Sequence, residues 1–141
     1  MTEIASEAFS GYEGTDYIII PKTVRAIGDH AFYNNSNLSH VEFNEGLKTI
    51  GRGAFENNYN LEIIQIPGSV TAIEEKAFST DQEIQVEITC LAATPPTIKP
   101  TSFGGRTNST LHVLKTAFDT YQRNSTWRLF SEISGDLGYI I

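Results

Sequence analysis

Cysteine occurs once in this chain of 141 residues, at Cys90, so neither a disulfide framework nor a cysteine-based metal site can form within it. Positive charge is also short: 10 Lys and Arg stand against 17 Asp and Glu, a formal net charge of −7. That balance argues against a nucleic-acid partner and against a polybasic membrane anchor. No apolar run approaches the roughly 18 to 20 residues of a membrane helix, so no membrane insertion by this segment is expected. The opening Met1-Thr2-Glu3 carries neither the basic region nor the apolar stretch of a secretion signal. With 40% hydrophobic and 19% charged residues, the composition is that of a folded protein with one core.

What the sequence does have is repetition. "AIGDHAFYNN" (26–35), "TIGRGAFENN" (49–58) and "AIEEKAFSTD" (72–81) are near copies, and "EIASEAF" (3–9) is a worn one. The Ala-Phe pairs begin at Ala8, Ala31, Ala54 and Ala77, a constant step of 23. A fixed period of about 20 to 50 residues is the mark of a solenoid. In register, Ile4, Ile27, Ile50 and Ile73 form one column, with Val24, Leu47 and Val70 three positions earlier. Leu38, Leu61 and Ile84 form another, each at the same offset after a Phe. Ile18, Val41 and Ile64 come two places before Ile20, Phe43 and Ile66, the period of a strand with one buried face.

Each unit therefore reads as a short strand, a turn at Pro21, "NEG" (44–46) or "PGS" (67–69), and a second extended stretch ending in the Ile column. A tight bend through Gly28 or Gly51 then leads to a helical or 3₁₀ turn carrying Ala-Phe. One such unit cannot bury its own apolar residues; stacked units turn each column into a continuous ladder.

The unit "LSHVEFNEGLKTIGRGAFENNYN" (38–60) resembles the leucine-rich repeat, of the same period, of BspA-like bacterial surface proteins. The shared features are the spacing, the Gly after Ile, and the Ala-Phe pair, over residues 1 to 89. Asn44 stands where that pattern has Pro, and Glu74 where it has Gly. The resemblance implies a right-handed leucine-rich-repeat solenoid, mostly short β-strands with 3₁₀ turns, closed by a C-terminal strand-helix cap. We expect four to five coils in one domain spanning 1–141, with repeats over 1–98 and a degraded coil and cap over 99–141. The resemblance also implies a cell-surface or extracellular location.

Past "VEITCLAATPPTI" (86–98) the period slips, since Ser102-Phe103 follows Ala77-Phe78 by 25 instead of 23. "LHVL" (111–114) is the expected strand of that degraded coil. Phe118 and Tyr121, and again Trp127 and Phe130, are three apart, which predicts helical turns. Tyr121 followed by Trp127 is similar to the family's terminal module, and these aromatics are expected to form the core of the cap. At the other end, Met1 falls in the Val24 column. The chain is therefore expected to begin within a coil, either as a piece of a longer protein or with its first coil left raw. Its Ile4, Phe9, Ile18 and Ile20 should then meet water, and weak self-association through that N-terminal coil is expected.

Catalytic, cofactor and metal sites are not expected. His30, His40 and His112 are too scattered in the repeat to converge on one ion and read as solvent-facing imidazoles. Cys90 has no local nucleophile motif, and "FGGR" (103–106) lacks the spacing and the Lys of a phosphate loop. What remains is a surface. Tyr17, His40 and Ile63 should form one outward ladder on the first strands, and Ile19, Glu42 and Gln65 a second. Tyr17, Ile19 and Ile63 are unusual where a merely solvated face would carry Thr, Lys or Glu. These six residues are the candidate binding surface for a host matrix protein or a surface glycan. The alternative is a structural spacer with no ligand of its own.

Overall fold

In a computed structural model describing residues 2–138, each repeat unit crosses two separate parallel sheets before returning one strand further on. The shorter strands, β1 (Glu3–Ile4), β3 (Ala26–Ile27), β5 (Thr49–Ile50), β7 (Ala72–Ile73) and β9 (Thr97–Ile98), form a five-stranded sheet. The longer ones, β2 (Tyr17–Ile19), β4 (His40–Glu42), β6 (Ile63–Ile66), β8 (Glu87–Cys90), β10 (Thr110–Leu114) and β11 (Glu132–Leu137), form a six-stranded sheet. Pairing is in the register that the columns dictate: Ile4 opposite Ile27, then Ile50, Ile73 and Ile98. Tyr17, His40, Ile63, Glu87, Thr110 and Glu132 line up likewise across the larger sheet. The fold is a leucine-rich-repeat solenoid of about six turns, more than the four to five expected. The extra winding comes from β11, which prolongs the six-stranded sheet beyond β10, the strand expected at "LHVL" (111–114).

Between the sheets, the Ala-Phe arcs close each coil. Ala31, Ala54 and Ala77 are fully buried. The rings of Phe9, Phe32, Phe55, Phe78 and Phe103 stack with centroids 5.0 to 5.3 Å apart and planes within 9°. The arcs are the short 3₁₀-type turns expected from the sequence, single i→i−3 bonds that do not join into a continuous helix. Their N–H groups alternate: Ala31 and Tyr33 donate within the arc, to Gly28 and His30, while His30, Phe32 and Asn34 donate to Arg52, Ala54 and Glu56 of the next coil. Sustaining this alternation puts Glu7, His30, Gly53 and Lys76 in the left-handed region, φ +56° to +59°, which stops a helix from propagating. Gly28 and Gly51 serve a different need, close approach. A Cβ at Gly51 would sit 2.7 Å from the Ile27 carbonyl oxygen of the preceding coil. At Glu74, where a side chain occupies that column, the bond to the preceding coil is 3.0 Å long against 2.8 Å at Gly28 and Gly51.

The insertion after Phe78 is absorbed by one residue. In the regular coils a buried Asn ties neighbours together: Asn35 Nδ2 donates to the Phe9 carbonyl (3.0 Å), and Asn58 Nδ2 to that of Phe32 (2.8 Å). Asp81 stands one repeat period after Asn58 but is exposed, and a carboxylate has no proton to donate. Arg106, from the next coil and 0% exposed, spans the gap. Its Nε donates to Phe78 O (2.7 Å), Nη1 to Leu61 O (3.0 Å) and Nη2 to Asn58 O (2.8 Å). Strand pairing here steps one place beyond the repeat period, with Ile64 opposite Ile88. Ile84 is consequently only half-buried and does not continue the Leu38–Leu61 column as expected.

The cap follows from the aromatics singled out in the sequence. The helix α1 (Phe118–Arg123) and a 3₁₀ turn at Trp127–Leu129 lay Tyr121 and Trp127, both 0% exposed, over the last coil. The Tyr121 hydroxyl donates to Ala92 O (2.7 Å) and Trp127 Nε1 donates to Pro96 O (2.8 Å). Trp127 and Phe130 end the Phe stack by meeting Phe103 at 5.6 and 5.3 Å, tilted and edge-on. At the other end, Ile4 and Ile20 are buried within their own coil, contrary to expectation; Phe9, at 45% exposure, does meet water. Met1, placed by register in the Val24 column, lies outside the described residues, as does the 139–141 end of the expected cap.

Candidate functional site

Alternation along the longer strands sends one side chain inward and the next outward, as in the exposed-buried pattern of Ile63–Ile66. Parallel sheets are ordinarily covered on both faces. Here the outward positions of β2, β4 and β6 hold all six candidate residues, five of them exposed and His40 half-buried.

Tyr17, Ile19 and Ile63 are 45%, 61% and 41% exposed, large apolar surfaces left in water. The Tyr17 ring stacks on His40 with centroids 4.8 Å apart. Its hydroxyl donates to Glu42 Oε2 at 2.6 Å, a bond that raises the phenol pKa above its ordinary value by disfavouring a second negative charge beside the carboxylate. Tyr17, His40 and Glu42 thus hold one another in place across two strands, while Ile19, Ile63 and Gln65 flank them. His40 is half-covered by this stacking rather than simply solvent-facing.

The same face continues over β8, β10 and β11, and three of its residues have no counterpart among the ladders expected from the sequence. His112 lies between two carboxylates, Nδ1 to Asp136 at 2.9 Å and Nε2 to Glu87 at 3.3 Å. The hydrogen bond from His112 holds the Asp136 carboxyl below the usual carboxylate range. The two ring nitrogens point in opposite directions, so the trio is a polar strap across three strands and not a chelate. Among the described residues, no group of three or more His, Cys, Asp or Glu side chains could hold a metal. The sequence signal is hidden because Glu87, which pairs with Ile63, comes one place later than the repeat period requires. A strict period therefore misplaces its column by one and turns it to the wrong face.

Other chemistry has little to work with. Cys90 is fully buried, with its sulfur 3.2 Å from the Tyr121 hydroxyl, and burial pushes its thiol pKa up, the reverse of what a nucleophile needs. His30 is 4.0 Å from Glu56 on the arc surface, far in the repeat from the other histidines. At the N-terminal end, a cleft of about 510 Å³ opens between Ile4, Phe9, Tyr12, Ile18 and Ile20, an apolar recess without a catalytic pair.

A family model described as BspA type leucine rich repeat region matches residues 2–123, in six copies. No curated protein matches the sequence. No helix among the described residues is long and apolar enough to cross a membrane.

Proposed function

This chain belongs to the BspA-type leucine-rich-repeat family, and we propose that it is a non-catalytic binding module of a bacterial cell-surface protein. Its partner is a host matrix protein or a surface glycan, held on the outer face of the six-stranded sheet. The observation that carries this reading is the exposed ladder of Tyr17, Ile19 and Ile63 on a face where ordinary solvation would favour small polar or charged side chains. Repeat solenoids use such extended faces for recognition because outward residues vary without disturbing the inward columns.

A panel of matrix proteins and glycans screened against the parent, Tyr17→Ser and Ile63→Ser tests the proposal. The parent should capture at least one member, and each substitution should weaken that capture about tenfold without lowering the melting temperature, because both side chains lie outside the core. Capture unchanged in both variants, or none at all, would leave the spacer reading.

We also propose weak self-association through the N-terminal coil, supported by the apolar cleft and by the outermost places that β1 and β2 take in their sheets among the described residues. Glu3, Glu7, Glu13 and Asp16 crowd that end, and their repulsion is screened by salt, so association should rise with ionic strength. Sedimentation across a salt series would show it; a monomer at every salt and concentration would end the idea.

A further inference from the structure

Charge is segregated on this molecule in a way that selects a partner. None of the 10 Lys and Arg residues falls within β2, β4, β6, β8, β10 or β11. The outer face of their sheet instead carries Glu42, Glu87, Glu132 and Asp136. Glu87 and Asp136 have side chains 73% and 52% exposed, and His112 fixes the position of both. The face therefore has two ends of different chemistry: aromatic and aliphatic over β2 to β6, anionic over β8 to β11.

Resting on the reading of this face as a binding surface, we propose that its ligand is an extended, cationic polypeptide segment. An apolar side chain of the ligand sits over Tyr17, Ile19 and Ile63, and Lys or Arg side chains pair with Glu87 and Asp136. The dimensions set the ligand's pattern. Strands lie about 4.8 Å apart, so β2 to β8 spans roughly 14 Å, and an extended chain rising about 3.3 Å per residue covers this in about four residues. The recognised segment thus has an apolar residue and a basic one about four positions apart. Sulfated and sialylated glycans are repelled by the same carboxylates.

The probe is a short fluorescent peptide with one leucine and, about four positions on, two lysines, titrated onto the full chain and followed by anisotropy. Binding should weaken with salt and vanish when the lysines are replaced by glutamates. The Glu87→Gln/Asp136→Asn double variant should lose about tenfold or more in affinity, as should Ile63→Ser. Glu75→Gln, at an exposed carboxylate on an Ala-Phe arc, should bind like the parent. No binding of the lysine peptide, or equal binding by the double variant, or an equal loss in Glu75→Gln, overturns the proposal. Capture of a neutral glycan that is lost in Tyr17→Ser overturns it too, while leaving the face as a binding surface. Melting curves of the double variant check that β11 is still in place.

Discussion

Replacing Arg106 by Ala is expected to lower the unfolding free energy by roughly 3 to 5 kcal/mol. Burial pushes its guanidinium pKa down to about 10, which still leaves a cation at neutral pH. Among the described residues no carboxylate pairs with that charge; the partners are the carbonyls of Phe78, Leu61 and Asn58. A buried ion pair can often be exchanged for apolar side chains at little cost, because both charges leave together. Here the acceptors belong to the backbone and stay behind when the donor is removed, each costing about 1 to 3 kcal/mol if left dry. Arg106→Met separates the two contributions, since it refills much of the volume but donates nothing. It should recover less than half of the Ala loss in denaturant titrations. A Met variant as stable as the parent would show that those carbonyls find other donors.

The regular coils were legible because every structural requirement in them recurs at one spacing. The Ile ladder, the Phe stack and the outward positions of Tyr17, Ile19, His40, Glu42, Ile63 and Gln65 all follow from a step of 23 and an alternation of 2. Backbone dihedrals were not legible: the arcs hold left-handed residues as unlike as Glu7, His30 and Lys76, so residue type gives no warning of the conformation. Interactions across the irregular coil were hidden for a different reason. The Arg106 contact spans 48 residues to Asn58, and the Glu87–His112–Asp136 strap joins positions offset by an insertion. A search by period finds what repeats; these groups exist because the repeat failed there and something else had to satisfy the backbone. Even β11 belongs to this class, since "EISGDL" (132–137) matches no column yet pairs parallel to β10, with an irregularity between His112 and Leu114.

Position in the stack, more than residue type, should decide what a core Phe contributes. Phe55 is fully buried, with Phe32 and Phe78 parallel to it at 5.0 and 5.3 Å and Phe43 edge-on at 5.5 Å. Phe55→Ala should cost about 3 to 5 kcal/mol: the lost transfer of the ring, the lost aromatic contacts, and a cavity that the coils on either side cannot close. Each coil is held mainly by its neighbours, so this void lies across the coupling between the two halves of the solenoid. Unfolding of the variant should therefore broaden, with a lower denaturant dependence as the N-terminal coils melt ahead of the capped end. Phe9→Ala makes the contrast. It removes a ring that is 45% exposed and stacks on only one neighbour in the column, Phe32, so the loss should be about 1 kcal/mol with the transition still sharp. Equal losses at the two positions would show that the column does not act as a nearest-neighbour stack, and a Phe55→Ala variant melting with the parent would remove that ring from the core altogether.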